Sequence, residues 1–152
     1  MKEPLVSRIL KYSLYAVFLF GVIFALTLPW MLDRYFIILY DAYSVYPGYR
    51  TFIMAFLISV SIPCLWIVIE MVRMLNSIPK EPFVMRNVRA LNRIGVIFLV
   101  LAAAFFGKCL LYITIMTLFC GFLFIGAGLF AFTLAALIRQ AANYREENDL
   151  TI

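Results

Sequence analysis

Long apolar runs separated by short polar segments dominate the chain. Four of these runs are long enough for membrane helices, since about 20 apolar residues cross a hydrocarbon core of about 30 Å. Backbone polar groups within lipid have to be satisfied inside the segment, so each run is predicted to be an α-helix. The predicted spans cover residues 12–32, 51–69, 94–113 and 118–138.

Two features of this pattern need interpretation. The first run has 21 uncharged residues, where the core of a secretory signal has roughly 7 to 15, so it is predicted to be a retained span. The last two runs are not separated by any charge, because none occurs between Cys109 and Ile138. We therefore expect a helical hairpin with a very short turn near 114–117.

Composition supports a membrane protein. The 152 residues are 66% apolar and 14% charged, with a mean hydropathy of +1.02, well outside the averages of soluble domains. The segments between the spans are too short to bury a core, which excludes an independent DNA-binding or catalytic domain. The prediction is an all-α membrane protein, a single four-transmembrane-helix bundle over residues 1–152.

The distribution of Lys and Arg predicts the orientation. Ten of the 13 basic residues lie in the N-terminal segment, the central loop 70–93 and the tail 139–152, whereas three lie on the other side. Basic residues are enriched in cytoplasmic loops, so both termini and the central loop are predicted to be cytoplasmic. The three residues on the outer side are Arg34, Arg50 and Lys108.

Residue types that carry enzymatic chemistry are scarce. The chain has no His, which removes the commonest general base and metal ligand. It also lacks paired carboxylates, a phosphate-cradling glycine loop and zinc-ligand spacing. Its three cysteines lie within predicted spans and are read as small apolar side chains. We expect a non-enzymatic protein with no cofactor, no metal and no direct nucleic acid binding.

The predicted outer loop is rich in tyrosine. Tyr is favoured at the level of lipid headgroups, which indicates an interfacial aromatic belt. The alternative is a lid or recognition surface for an extracytoplasmic peptide or lipid. The tyrosines concerned are Tyr35, Tyr40, Tyr43, Tyr46 and Tyr49.

The two larger cytoplasmic segments have opposite charge. Helical spacing in the central loop puts arginines on one face, which would attach to anionic lipid or to the acids of the tail. Those acids are poorly placed if the last helix reaches them, because a helix C-terminus carries partial negative charge. Self-docking of the tail, docking on a partner and a disordered tail are the alternatives. The predicted docking residues are Pro82, Phe83, Arg86, Asn87, Arg89, Leu91, Arg93, Glu146, Glu147, Asn148, Asp149, Leu150, Thr151 and Ile152.

Polar groups in or beside the spans are few. Lys108 is predicted near the outer surface, where it would either extend its ammonium to water or pair with Asp33 or Asp41. Glu70 closes the second span, with Arg73 as a partner at i+3. A face of small residues in the fourth span indicates close helix packing within the bundle or a homo-oligomer. This face comprises Gly121, Gly126, Ala127, Gly128 and Ala131.

Two cytoplasmic motifs carry a family resemblance. "PFVMRNVRALNRIG" before the third span and "AANYREENDLTI" at the end resemble an uncharacterised family of small four-span bacterial membrane proteins. The matching positions in the tail are 147–152. Members are often encoded beside a very short helix-turn-helix regulator. The resemblance implies a protein of the bacterial cytoplasmic membrane that restrains or informs a transcription factor.

Two functional hypotheses follow. The first is a regulatory or sensory membrane protein in the lipid bilayer, with the docking surface described above for itself or for a small helix-turn-helix regulator. The second is a subunit of an oligomeric channel or transporter, which requires a polar pathway. The scattered candidates for that pathway are Ser59, Ser61, Pro63, Thr114 and Thr117.

Overall fold

Four long α-helices form the protein in the computed structural model, which describes residues 5–38, 48–77 and 85–149. The all-α, four-helix prediction is confirmed, and each helix is long and apolar enough to cross a membrane. In chain order they are α1 (Leu5–Ile38), α2 (Tyr49–Ser77), α3 (Met85–Leu111) and α4 (Ile115–Asp149).

The surface of the helices is suited to lipid rather than to water. Phe20 of α1 is 71% exposed and Leu26 is 77% exposed, and large apolar side chains are exposed along the other helices as well. Leaving such side chains in water would cost about 1.5–3 kcal/mol each relative to burial. The protein is therefore a multi-pass membrane protein.

Each helix packs mainly on its neighbours in the chain. The contact between α3 and α4 is the most extensive, α1 packs on α2, and α2 packs on α3. Within the described residues, α1 and α4 share no extensive contact. We call the end that contains the start of α1, the end of α2, the start of α3 and the end of α4 the terminal end. The other end, which holds the α3–α4 turn, is the opposite end.

The interior lies around α3. One core cluster joins Ile67 of α2, Ile94 and Leu101 of α3, and Ala131 of α4. A second cluster, closer to the terminal end, joins Val88 and Leu91 of α3 to Ala135 of α4. Because α3 contributes to both clusters, it sets the positions of the polar residues at its two ends.

Small residues allow α3 and α4 to approach closely. A Cβ atom on Gly128 would lie 3.2 Å from the carbonyl oxygen of Gly95, and one on Gly121 would lie 3.0 Å from the Phe106 ring. Ala131 is also buried, whereas a Cβ on Gly126 would meet no atom within 4 Å. The predicted small-residue face therefore packs within the protein, apart from Gly126.

The turn between α3 and α4 lies earlier than its predicted position. Helix α3 ends at Leu111 and α4 begins at Ile115, so the connection is residues 112–114 rather than 114–117. The uninterrupted apolar run gives no polar boundary from which to place the turn. The shift moves Thr117 out of the turn and into the first residues of α4.

Candidate functional site

A buried carboxylate lies at the centre of the terminal end. The Glu70 side chain is 3% exposed, and its Oε2 accepts a hydrogen bond of 3.0 Å from Nη2 of Arg93. Its Oε1 lies 3.4 Å from Nη1 of Arg73. Burial of a charge is costly unless it is paired, and the two guanidinium groups satisfy this requirement. The predicted i+3 partner is confirmed, whereas the partner on α3 was not predicted.

A second polar contact fixes the helix ends that flank residues 78–84. The Ser77 hydroxyl donates to Oδ1 of Asn87 and lies 2.8 Å from the carbonyl oxygen of Met74. Asn87 is 2% exposed, on the first turn of α3. The end of α2 and the start of α3 are thus joined by this hydrogen bond and by the pair between Glu70 and Arg93.

A cavity of about 170 Å³ lies between these helices at the terminal end. Three guanidinium groups and one carboxylate line it, which leaves a formal charge of +2. The lining residues are Glu70, Arg73 and Met74 from α2 and Arg86, Asn87, Ala90 and Arg93 from α3.

The structure divides the predicted docking residues of the central loop into two groups. Arg86 and Arg89 are exposed, as predicted for a basic helix face. Asn87 and Leu91 are 2% and 6% exposed, so they contribute to the interior and not to a docking surface. Arg93 is engaged by Glu70 rather than by the tail. Pro82 and Phe83 lie outside the described residues.

The tail continues as helix further than the apolar run suggests. Ala142 is 5% exposed and packs on the protein, and α4 then continues to Asp149. Tyr144 is 70% exposed, and Glu146 and Glu147 are exposed as well. Asn148 and Asp149 belong to this helix, whereas Leu150, Thr151 and Ile152 lie outside the described residues. Three acidic residues, Glu146, Glu147 and Asp149, therefore lie at a helix C-terminus, where the helix dipole disfavours negative charge.

At the opposite end, Lys108 is directed into the protein. It is 9% exposed, and Nζ donates a hydrogen bond of 2.7 Å to Oγ1 of Thr117. The same ammonium lies 5.9 Å from the centroid of the Phe56 ring, a cation–π distance. The prediction that Lys108 extends its ammonium to water is therefore wrong. The alternative Lys108–Asp33 pair does not form either, because Asp33 is paired with Arg50. Asp41 lies outside the described residues.

Replacing Thr117 with Val should destabilise the protein by about 1–3 kcal/mol, because the buried Lys108 ammonium would lose its hydrogen-bond acceptor. Replacing Lys108 with Met should cost less, since Met fills similar space and needs no partner. The free energy of unfolding in mixed micelles with increasing SDS would measure both. The matched control is Thr133→Val, because Thr133 is exposed and bonds only its own helix through Leu129. Equal losses for all three variants would contradict a specific Lys108–Thr117 contact.

Two of the five tyrosines of the predicted outer loop lie within described helices. Tyr49 begins α2, and its ring packs edge-on against Tyr112 with 4.7 Å between the ring centroids. Tyr35 lies in α1. Tyr40, Tyr43 and Tyr46 lie outside the described residues, so the choice between an aromatic belt and a recognition surface stays a prediction.

The polar residues considered for a transport pathway bond mainly within the protein. The Ser59 hydroxyl donates to the carbonyl oxygen of Ala55, and that of Ser61 donates to the carbonyl oxygen of Ile58. Both are bonds to the residue's own helix, within which Pro63 lacks the N–H that would donate to the carbonyl oxygen of Ser59. Thr117 is engaged by Lys108. A channel or transporter role stays an alternative prediction, and no contact among the described residues favours it.

Comparison with known proteins places the chain in a family. Residues 38–152 match the family model DUF2975, described as a protein of unknown function. No curated protein matches the chain. No solved structure matches it either. The matched segment contains α2, α3 and α4 in full, and with them the Glu70 site and the Lys108 contact. Because the match covers more than half of the chain, this membrane protein belongs to the DUF2975 family, which is consistent with the predicted membership of an uncharacterised family.

Proposed function

We propose that this protein is a non-enzymatic regulatory component of the bacterial cytoplasmic membrane that holds a cytoplasmic partner at its terminal end. The observation that supports this role is the projecting end of α4. This segment, residues 143–149, continues as helix beyond Ala142, which is buried on the protein, and residues 143–147 are all exposed. At about 1.5 Å per residue it extends about 10 Å further.

The surface of this segment suits a basic partner. Tyr144 offers a large and rigid contact area, and Glu146 and Glu147 add negative charge. Glu146 lies where the helix dipole is already unfavourable for negative charge, so an external cation beside it would stabilise the segment. A small DNA-binding regulator fits this description, because such proteins carry basic surfaces. The resemblance to a family encoded beside helix-turn-helix regulators supports the same partner class.

The charge pattern supports a cytoplasmic terminal end. Those basic residues of the inner side that the structure describes belong to segments at this end, including Arg73, Arg86, Arg89 and Arg93. Such enrichment is typical of the cytoplasmic side of membrane proteins.

Docking on a partner explains the projecting helix better than self-docking does. The helix α4 continues to Asp149 without a break, so the segment runs straight on through that residue and does not fold back on α3. Of the arginines of the central loop, Arg93 is engaged by Glu70 and not by the tail.

The proposal predicts a charge-dependent complex. The full-length protein, purified in mild detergent from its native host, should carry a small DNA-binding protein in stoichiometric amount. A variant lacking residues 147–152 should lose it, and Glu146→Lys with Glu147→Lys should reduce the bound amount at least tenfold. The control is Glu146→Asp with Glu147→Asp, which keeps the charge and should retain the partner.

Other outcomes would decide against the proposal. If the truncated chain retains the partner, the tail is not the docking element. If all variants purify without a partner, the docking role itself is wrong. Self-docking would be indicated if Arg86→Glu with Arg89→Glu changed the protease resistance of the tail and the additional Lys substitutions at 146 and 147 restored it.

A further inference from the structure

We propose that the cavity between α2 and α3 at the terminal end is a binding site for a phosphate group. This inference concerns a different surface from the tail and does not depend on the docking role. It rests on the residues that line the cavity, on their charges and on the position of the cavity along the helices.

The charge of the lining favours an anion. Arg73, Arg86 and Arg93 face the cavity together with one carboxylate, that of Glu70. Glu70 cannot neutralise all three guanidinium groups. Within the described part of the chain, no acidic side chain forms an ion pair with Arg86. The net charge of +2 on the lining would be neutralised by a phosphate monoester dianion. A phosphate diester, with a single negative charge, would neutralise only part of it.

The donor geometry supports the same ligand. A guanidinium group has five N–H donors in a planar fork, which suits phosphate oxygens. Arg93 approaches Glu70 through Nη2 and Arg73 approaches it through Nη1, so each contact involves only one nitrogen. The side chains of Arg73 and Arg93 are 58% and 55% exposed, which leaves their other donors accessible. Glu70 therefore acts as a positioning residue that holds two arginines beside the cavity.

The size of the cavity limits the ligand. A volume of about 170 Å³ is several times the share of a liquid water molecule, about 30 Å³. It accommodates the five heavy atoms of a phosphate and part of an ester group. It is smaller than the pockets of about 300–1,000 Å³ that enclose whole drug-sized ligands. A nucleotide would not be enclosed, so the phosphate group itself is the recognised element.

The position of the cavity suggests where the phosphate comes from. Glu70 directly follows the apolar stretch 51–69, so the cavity lies where α2 leaves the hydrocarbon core. Lipid phosphates lie at this level of a bilayer, just outside the hydrocarbon. Arginine clusters at membrane surfaces recognise anionic headgroups. The phosphate of a small soluble ester could reach the same arginines from the aqueous side. The same guanidinium groups would then bind it as would bind a lipid phosphate.

The test compares two probes on the intact, detergent-solubilised protein. Native mass spectrometry would measure binding of dioleoylphosphatidic acid, a lipid with a phosphate monoester, with dioleoylphosphatidylcholine as the lipid of zero net charge. Calorimetric titration would measure binding of glycerol 3-phosphate. We expect Arg73→Gln and Arg86→Gln each to weaken binding about tenfold, since hydrogen bonds to charged groups contribute about that much. Arg93 is left unchanged, because its loss would leave the buried Glu70 carboxylate with only the longer contact to Arg73.

Arg89→Gln is the matched control. Arg89 lies on the same helix as Arg86 and is also exposed, but it does not line the cavity, and its Nε lies 3.4 Å from the carbonyl oxygen of Met85. Binding of the anionic lipid alone, lost in the two cavity variants but not in the control, supports a lipid phosphate. Binding of glycerol 3-phosphate with the same dependence supports a soluble phosphate ester. The proposal is overturned if neither probe binds, if both lipids bind equally, or if Arg89→Gln weakens binding as much as the cavity variants do.

Discussion

Replacing Arg93 with Gln should destabilise the protein by about 2 kcal/mol, whereas Glu70→Gln should cost less than about 1 kcal/mol. The asymmetry follows from burial. The Glu70 side chain is 3% exposed, whereas that of Arg93 is 55% exposed. Loss of Arg93 leaves a buried carboxylate with only the longer contact to Arg73. Removing one partner of a fully buried pair costs about 3–5 kcal/mol, and the remaining arginine and partial exposure reduce this cost.

The double variant provides the decisive comparison. Glu70→Gln removes the charge that needs Arg93, so the two substitutions together should cost less than Arg93→Gln alone. Unfolding in mixed micelles with increasing SDS, followed by the fluorescence of Trp30 and Trp66, would give the three free energies. Arg89→Gln controls for loss of an exposed arginine from α3 and should change stability by less than about 0.5 kcal/mol. Strictly additive losses would show that the pair is not coupled.

Replacing Gly128 with Leu should separate α3 from α4 at their closest approach. Even a single methyl group there would lie 3.2 Å from the carbonyl oxygen of Gly95. A backbone atom cannot retreat unless its helix moves, so a larger side chain would displace a whole segment of α3. Overpacking of this kind costs about 1–3 kcal/mol, and the most extensive helix contact of the protein would be weakened.

Gly126 offers a matched control two residues away on the same helix. A Cβ atom there meets nothing within 4 Å, so Gly126→Leu should be neutral or slightly stabilising, because Leu has a better helix propensity than Gly. Thermal midpoints of the two variants in the same detergent would measure the difference. If both variants lowered the thermal midpoint by a similar amount, helix propensity or detergent contact, rather than the α3–α4 distance, would control stability at these positions.

The four helices could be predicted from the sequence because each one is an apolar run long enough to cross a membrane. Local pairs could be predicted as well, since Arg73 lies one helical turn from Glu70. The pair between Glu70 and Arg93 could not, because its members are 23 residues apart and meet only through the packing of α2 on α3. Sequence spacing contains no information on that crossing.

The Lys108–Thr117 contact is an intermediate case. Residues at equal distances on either side of a hairpin turn face each other, and these two lie nearly symmetrically about 112–114. With the turn placed at 114–117, Thr117 belonged to the turn itself and the pairing was hidden. A charge or a proline near residue 113 would have marked the turn. No sequence pattern predicted the cavity at the terminal end. Its lining side chains come from both α2 and α3, and they meet only because these two helices pack together.

The short connection between α3 and α4 has a consequence for how the chain enters the bilayer. Lys108 obtains its hydrogen bond from Thr117, which lies on the other helix of the same hairpin. A nascent α3 without α4 would present its ammonium to lipid without that acceptor, a costly arrangement within hydrocarbon. The two helices therefore insert most favourably together, as one hairpin. Helix α1 has an extensive contact only with α2 within the described part of the chain, so its insertion depends on its own apolar character.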